Sequence, residues 1–302
     1  MKKVTGYLLP EKKKLGDIMK FAIVTNSASN ILEYKKIGAD AFIFGLKGYS
    51  SGYNNNLTLE EIEKVRRDYD GELFIAVNKN IFNGELKDLE SALVFLDKIK
   101  VDGILFYDLA VLSIRNRLGL KVPLVWNQTH MVTNYNTCNY FYDKGCNYGV
   151  LASEITLDEI NEIKSKTSMK LFLNIFGYQA MGYTRRHLVD NYFKSTGKER
   201  NKDNYIVKNN DSEYIVSEEE HGNAFYFGKV LNGSVVALKA NVDYLIFNDN
   251  FIDKDIFSKT LSLYKKLVDS KDDKYVKEID ALVGDNRGFF FNKTIYKVKK
   301  DE

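Results

Sequence analysis

Two cysteines in 302 residues, Cys138 and Cys146, exclude a good deal. They allow no disulfide framework, no four-cysteine zinc site and no cysteine-ligated iron–sulfur cluster within one chain. The simplest setting for such a chain is a reducing cytosol, so a cytoplasmic location is expected. Apolar runs are short; none approaches the length of a membrane span, and no membrane association is expected. The opening MKKVTGYLLPEKKKLGDIMK holds no apolar stretch of signal-peptide length and reads as a solvated basic tail. Charge of one sign is also lacking. A net charge of +3 is far too mild to mark a nucleic-acid-binding protein, so any basic partner surface must be a local patch. GxSxG, HExxH, a Walker loop and CxxC are all absent, and no GxGxxG follows the first strand.

What is present is a soluble core: hydrophobic residues make up 44% and charged residues 28%, which rules out global disorder. Short apolar runs alternate with amphipathic stretches. Strands are predicted at 21–25, 41–46, 72–78, 103–107, 122–126, 148–152, 170–176 and 243–248. Between them lie helical patterns such as TLEEIEKVRRDY, ELKDLESALVFLDKIK and TLDEINEIKSK. Thr58 and Thr156 fit N-caps, each with a carboxylate three residues on, Glu61 and Glu159. An internal echo, GADAFIF, KVDGILF, GCNYGVL and NVDYLIF, falls on the second, fourth, sixth and eighth strands. Continuous apolar strands alternating with helices mean a parallel sheet covered by helices, and eight units imply an α/β fold of the TIM-like (β/α)8 barrel type. An open doubly wound sheet is the alternative. One domain, 1–302, is expected. A β-rich insertion at 195–240 is read between strands seven and eight, because YIV, EYIV and AFYFGKV are separated by the turn-like NND and EEEHGN. From 270 to 302 the chain is charged, then rich in Gly and aromatics, and is expected to be an extended tail.

In such a barrel, function gathers at the C-terminal ends of the strands. Those ends are polar: Asn26, Ser27, Lys47, Asn78, Tyr107, Asp108, Asn127, Gln128, His130, Glu154, Tyr178, Asn248 and Asp249. For Asn26, Ser27, Asp108 and Asp249, helix capping explains the residue type at least as well. NIFGYQAMGYTRRHLVDNYF at 174–193 is more unusual. Just past a buried strand it crowds Tyr178, Tyr183, Arg185, Arg186 and His187. Guanidinium forks suit carboxylate or phosphate, and the tyrosines offer stacking faces, so a candidate anion site is placed here, with Lys47, Asn78, His130 and Glu154 around the same mouth. His130 is a candidate acid or base, although a histidine satisfied by a backbone carbonyl is the commoner outcome. His221 reads as a hairpin-turn residue, the two cysteines as buried inert thiols, and Trp126 as either core or a stacking wall.

At this segment the chain resembles a family. Asn174, Phe176, Ala180 and Met181 fit the first half of a signature E-x-F-x-x-G-A-(L/M)-C, and Thr184, Arg186 and Leu188 fall in its second half, S-G-x-C-L-x-S. AVN at 76–78, SEI at 153–155, EHG at 220–222 and RGF at 287–289 are further echoes. Together they resemble the collagenase-like peptidase U32 family over nearly the full length, and in particular its short members. The resemblance implies a TIM-like barrel and a role either as a peptidase or in RNA modification, one branch supporting prephenate-dependent hydroxylation of the wobble uridine in tRNA. It also implies tRNA and prephenate as substrates and a longer, cysteine-rich paralogue as a partner; a homodimer is the alternative. Where the family carries signature cysteines, which bind an iron–sulfur cluster in several members, this chain has Gly182 and His187, and the family acid is Asn174. No Fe-S cluster or other cofactor is therefore expected in this chain. A hydrolase reading is opposed by the lack of an assembled nucleophile, base and orienter; a non-catalytic scaffold is the third reading.

Overall fold

In a computed structural model, residues 19–53, 55–128, 131–202, 204–210 and 212–292 are described. The predicted basic tail at the N-terminus, apart from its last residues, lies outside them, as does His130. The chain opens with β1 (Lys20–Val24), α1 (Ile31–Ile37), β2 (Ala41–Leu46), a short β3 (Asn56–Leu57) and α2 (Leu59–Asp68). It continues with β4 (Glu72–Val77), α3 (Leu86–Lys98), β5 (Gly103–Phe106), α4 (Leu109–Leu118), β6 (Leu124–Trp126) and α5 (Tyr135–Asp143). Next come β7 (Cys146–Val150), α6 (Leu157–Ser165) and β8 (Lys170–Gly177). An excursion follows: β9 (Ala180–Thr184), α7 (Leu188–Thr196), β10 (Asn204–Asn209), β11 (Ser212–Glu219) and β12 (Gly222–Phe227). β13 (Leu231–Asn232) and α8 (Ser234–Ala237) return to the barrel, which ends with β14 (Tyr244–Asn248), α9 (Lys254–Ser270) and α10 (Lys274–Val283).

Eight parallel strands form the ring, in the order β1-β14-β8-β7-β6-β5-β4-β2, and β2 pairs back onto β1 with Ala22 opposite Ala41. That pairing closes the barrel and excludes the open sheet. Each strand is apolar on both faces because both are covered. Ala41 and Ile43 of β2 belong to the barrel interior, whereas Phe42 and Phe44 pack in the layer between strands and helices. Inside, Phe172 stacks on Tyr244 with ring centroids 4.1 Å apart, and Phe74 meets both rings edge-on. Gly103 leaves room for this plug, since a Cβ there would lie 2.8 Å from Phe74. Tyr244 also donates to Glu72, which pairs with Lys20, so the N-terminal end of the barrel is filled and tied. Open space is left to the opposite end, where the strand C-termini emerge. The capping boxes of Thr58 with Glu61 and Thr156 with Glu159 start α2 and α6.

Two expectations require correction. The insertion begins at Ala180 rather than at 195, because β9 pairs antiparallel with β12 to make a four-stranded sheet ordered β10-β11-β12-β9. It also ends early, since from Leu231 the chain pairs with β8 and resumes barrel structure. The region 270–302 is not an extended tail. Tyr275, Val276, Ile279, Leu282 and Val283 recur at helical spacing, and α10 buries Ile279 while the other four pack partly buried against the core. The chain then turns back, with Arg287 holding both carboxylate oxygens of Asp280 at 2.7 Å and the Asn232 carbonyl at 2.8 Å. Residues 293–302 lie outside the described residues.

Candidate functional site at the barrel mouth

A cavity of about 120 Å³ opens where the strands end. Its floor is apolar, from Val24, Leu105, Val150 and Ile246, and its walls are amides, hydroxyls and phenols. Asn78, Asn127, Asn174 and Asn248 come from or just after β4, β6, β8 and β14. Ser51, Gly52 and Tyr53 come from the loop after β2, Ser153 from beyond β7, Tyr178 and Gln179 from the β8–β9 link, and Tyr226 from the insertion. Among the described residues no charged side chain lines it.

Several of these groups hold one another. Asn78 accepts from the Ser51 amide at 3.1 Å and donates to the Ser51 carbonyl at 2.9 Å, which pins the loop after β2. Asn250 donates to the Gly52 carbonyl at 3.1 Å, while its buried Oδ1 has no partner among the described residues. The side-chain amides of Asn127 and Asn174 make no hydrogen bond among the described residues and are free for a ligand.

Just behind this wall sits Glu219, at the end of β11. The Gly52 amide donates to its two carboxylate oxygens at 3.0 and 2.9 Å, and the Tyr226 hydroxyl lies 3.5 Å from Oε1. Among the described residues no cation pairs with it, and burial pushes the carboxyl up to about 7 in spite of the Gly52 and Tyr226 hydrogen bonds. Glu219 thus links the insertion to two cavity-wall residues. Sequence reading passed over it inside EEEHGN, where three consecutive acids look like a solvated turn. The signal was there in part: strand alternation sends neighbouring residues to opposite faces, so Glu218 and Glu219 cannot share an environment.

The anion corner read from the sequence divides. Tyr178 and Asn78 line the cavity. Arg185 is exposed, its guanidinium 3.5 Å above the centre of the Phe82 ring. Arg186 is exposed, and among the described residues neither arginine makes an ion pair. His187 bonds through Nδ1 to Glu218 at 2.8 Å, and Glu218 in turn accepts from Val189 N at 3.0 Å, at the start of α7. That histidine therefore serves the insertion. Tyr183 donates to the His221 carbonyl at 2.5 Å, and burial pushes its phenol up to about 12. Lys47 and Glu154 are exposed and do not line the cavity. Trp126 is core, stacked on Phe141 at 3.7 Å in the layer outside the barrel. Asp249 accepts from Thr25, Asn26 and Tyr34 and fastens the end of β14 to β1.

The donor set does not fit an iron–sulfur cluster. Cys138 and Cys146 are buried, and burial pushes each thiol up to about 12, which disfavours the thiolate a ligand must be. Gly182 has no side chain to ligate, and His187 is engaged by Glu218.

Comparison with known proteins places this architecture. The model of peptidase family U32 matches residues 27–294. The chain belongs to peptidase family U32. This U32 protein is 26% identical to tRNA hydroxylation protein P2 of Bacillus subtilis over 302 aligned residues, covering 91% of this chain and 98% of that one. Its match to tRNA hydroxylation protein P1 of the same bacterium is 25% identical and covers 54% of this chain but 40% of the relative. Among solved structures, a U32 peptidase superposes with a TM-score of 0.50 at 15% identity, over 79% of this chain and 96% of the other, a likeness of fold.

Proposed function

We propose that this U32 protein is a component of tRNA hydroxylation, acting at the 5-position of the wobble uridine with prephenate as co-substrate. The near full-length match to a tRNA hydroxylation protein carries this reading. The mouth supports it. Amides carry a donor and an acceptor side by side, as the edge of a uracil ring does, and tyrosine faces suit a flat ring taken out of its stack. Asn127 and Asn174 have unfilled amides in the wall, Tyr53, Tyr178 and Tyr226 supply phenols, and the apolar floor excludes water beneath.

Among the described residues the cavity is lined by amides, hydroxyls and phenols, with no charged side chain, histidine or cysteine, and such a lining binds and orients. The reactive group therefore arrives with a co-substrate or a partner chain. The two carboxylates of prephenate call for cations, and Arg185 and Arg186 at the rim are the unpaired candidates. A longer, cysteine-rich paralogue, of which tRNA hydroxylation protein P1 is the example by length, would bring what Gly182 and His187 cannot. A peptidase reading lacks, among the described residues, a nucleophile with a neighbouring base in the cavity, and the U32 name alone does not supply one.

The test is a mass-spectrometric survey of tRNA wobble nucleosides in a deletion strain, complemented by the wild-type gene and by Asn174→Ala. Loss of 5-hydroxyuridine derivatives, restored by wild type and not by the variant, is expected. Unchanged nucleosides in the deletion strain, or casein cleavage by the purified protein that a point change in the mouth abolishes, would overturn the proposal.

A further inference from the structure

We infer that Phe82 and Arg185 form a platform on the rim of the mouth that stacks the nucleobase next to the one entering the cavity; the inference rests on the RNA reading above. Phe82 is a large apolar side chain in the loop between β4 and α3, yet it is 52% exposed. Its backbone is braced, with the amide donating to Glu85 Oε2 at 2.8 Å. The ring contact it makes among the described residues is the Arg185 guanidinium, 3.5 Å from the ring centre and brought from the far side of β9. Two parts of the chain that are distant in sequence therefore meet to build an exposed, flat, cationic stack that the core does not use.

Arg185 has capacity left over. It makes no hydrogen bond or ion pair among the described residues. The carboxylate whose ionisation its charge favours, Glu85, is already held by Lys79 and by the Phe82 amide. Its five N–H donors are thus open to phosphate oxygens while its plane stays on the ring. Arg186 beside it is also exposed and, among the described residues, makes no ion pair. Both chains that build the platform leave from the cavity wall: Asn78, which lines the cavity, opens the loop that carries Phe82, and Ala180, which lines it too, begins the strand that ends just before Arg185. An RNA strand that delivers one base into the cavity leaves its neighbours on the loops around the mouth, where this platform lies. Unstacked bases are held on aromatic and guanidinium planes, which every base tolerates, with phosphates on nearby cations. A protein partner could cover an exposed phenylalanine, but two unpaired guanidinium groups complement a polyanion.

The experiment measures binding of an anticodon stem-loop to the purified full chain by fluorescence anisotropy, with 2-aminopurine placed beside the wobble position in a second RNA. Phe82→Ala, Phe82→Trp and Arg185→Lys are compared with wild type, each checked for an unchanged thermal melt. Phe82→Ala should weaken binding roughly ten-fold or more and abolish 2-aminopurine quenching, while Phe82→Trp restores both. Arg185→Lys keeps the charge but loses the plane and should weaken binding in the same direction. Equal binding by wild type and Phe82→Ala overturns the platform and leaves the RNA reading standing. No binding by wild type overturns the RNA reading and the platform with it. Loss of association with the longer paralogue, with RNA binding intact, assigns the pair to a protein contact and overturns the inference.

Discussion

Replacing Glu219 with glutamine should stabilise the protein above neutral pH and change it little in mild acid. In the fold the carboxyl is pushed up from 4.5 to about 7, mainly by burial. A carboxyl with a raised pKa in the folded state favours folding while it keeps its proton and loses that advantage as it ionises. The contribution is complete below the unfolded value of 4.5 and is lost as pH rises towards about 7. At about 1.4 kcal/mol per pKa unit, the difference between 4.5 and about 7 corresponds to about 3 kcal/mol at most. Glutamine has the same shape, can accept from the Gly52 amide and carries no charge to bury. Tyr226 and Tyr183, which feel this carboxylate, are phenols that stay neutral through this range. Urea unfolding followed by far-ultraviolet circular dichroism, at about pH 5 and about pH 8, gives the wild-type-to-variant difference at each. It should be under about 1 kcal/mol at the lower pH and approach about 3 kcal/mol at the higher. Differences of equal size at both would refute the reasoning, because they would mean that this carboxyl ionises in the fold as readily as in the unfolded chain.

Glu218→Ala should loosen the insertion selectively. It removes the acceptor for Val189 N and the Asn223 side chain, at a cost of about 2–3 kcal/mol, and hydrogen exchange should quicken in α7, β11 and β12 but not in the barrel strands. Asn232→Ala should lower the melting temperature of the whole barrel. That fully buried amide bonds to Asp280, Gly284, Ser234 and Tyr264, and stranding those partners costs about 2–4 kcal/mol. Cys138 and Cys146 should resist a thiol reagent in the native protein at mildly alkaline pH and both react on unfolding, since each is buried with its thiol pushed up to about 12; a native-state reaction at either would contradict the packing of α5 against β7.

The barrel was readable because its strands are buried on two faces, which leaves uninterrupted apolar runs such as FAIVT and AFIFGL, and because Thr58 and Thr156 announce their helices locally. Features that depend on distant partners were not. AMGYT at 180–184 becomes a strand because β12 lies beside it. Asn78 and Tyr178 could be placed at the mouth from their distance past a strand, whereas Gly52, Tyr53 and Tyr226 arrive by loop and insertion, and no period in the sequence reveals that. Adjacency also misled. Arg185, Arg186 and His187 read as one corner, but Arg185 lies on Phe82 and His187 on Glu218.

The insertion is therefore part of the mouth rather than an appendage to it. Tyr226 of β12 forms cavity wall, Glu219 of β11 holds the Gly52 amide, and the Phe227 amide donates to the Gln179 carbonyl at 3.0 Å. Gly222 presses so closely on β9 that a Cβ there would lie 1.9 Å from the Thr184 carbonyl oxygen. A perturbation that unfastens the antiparallel sheet must then reshape a cavity whose floor it never touches. Among the described residues, the same cavity is lined by no charged side chain. A lining built this way selects by shape and hydrogen bonding.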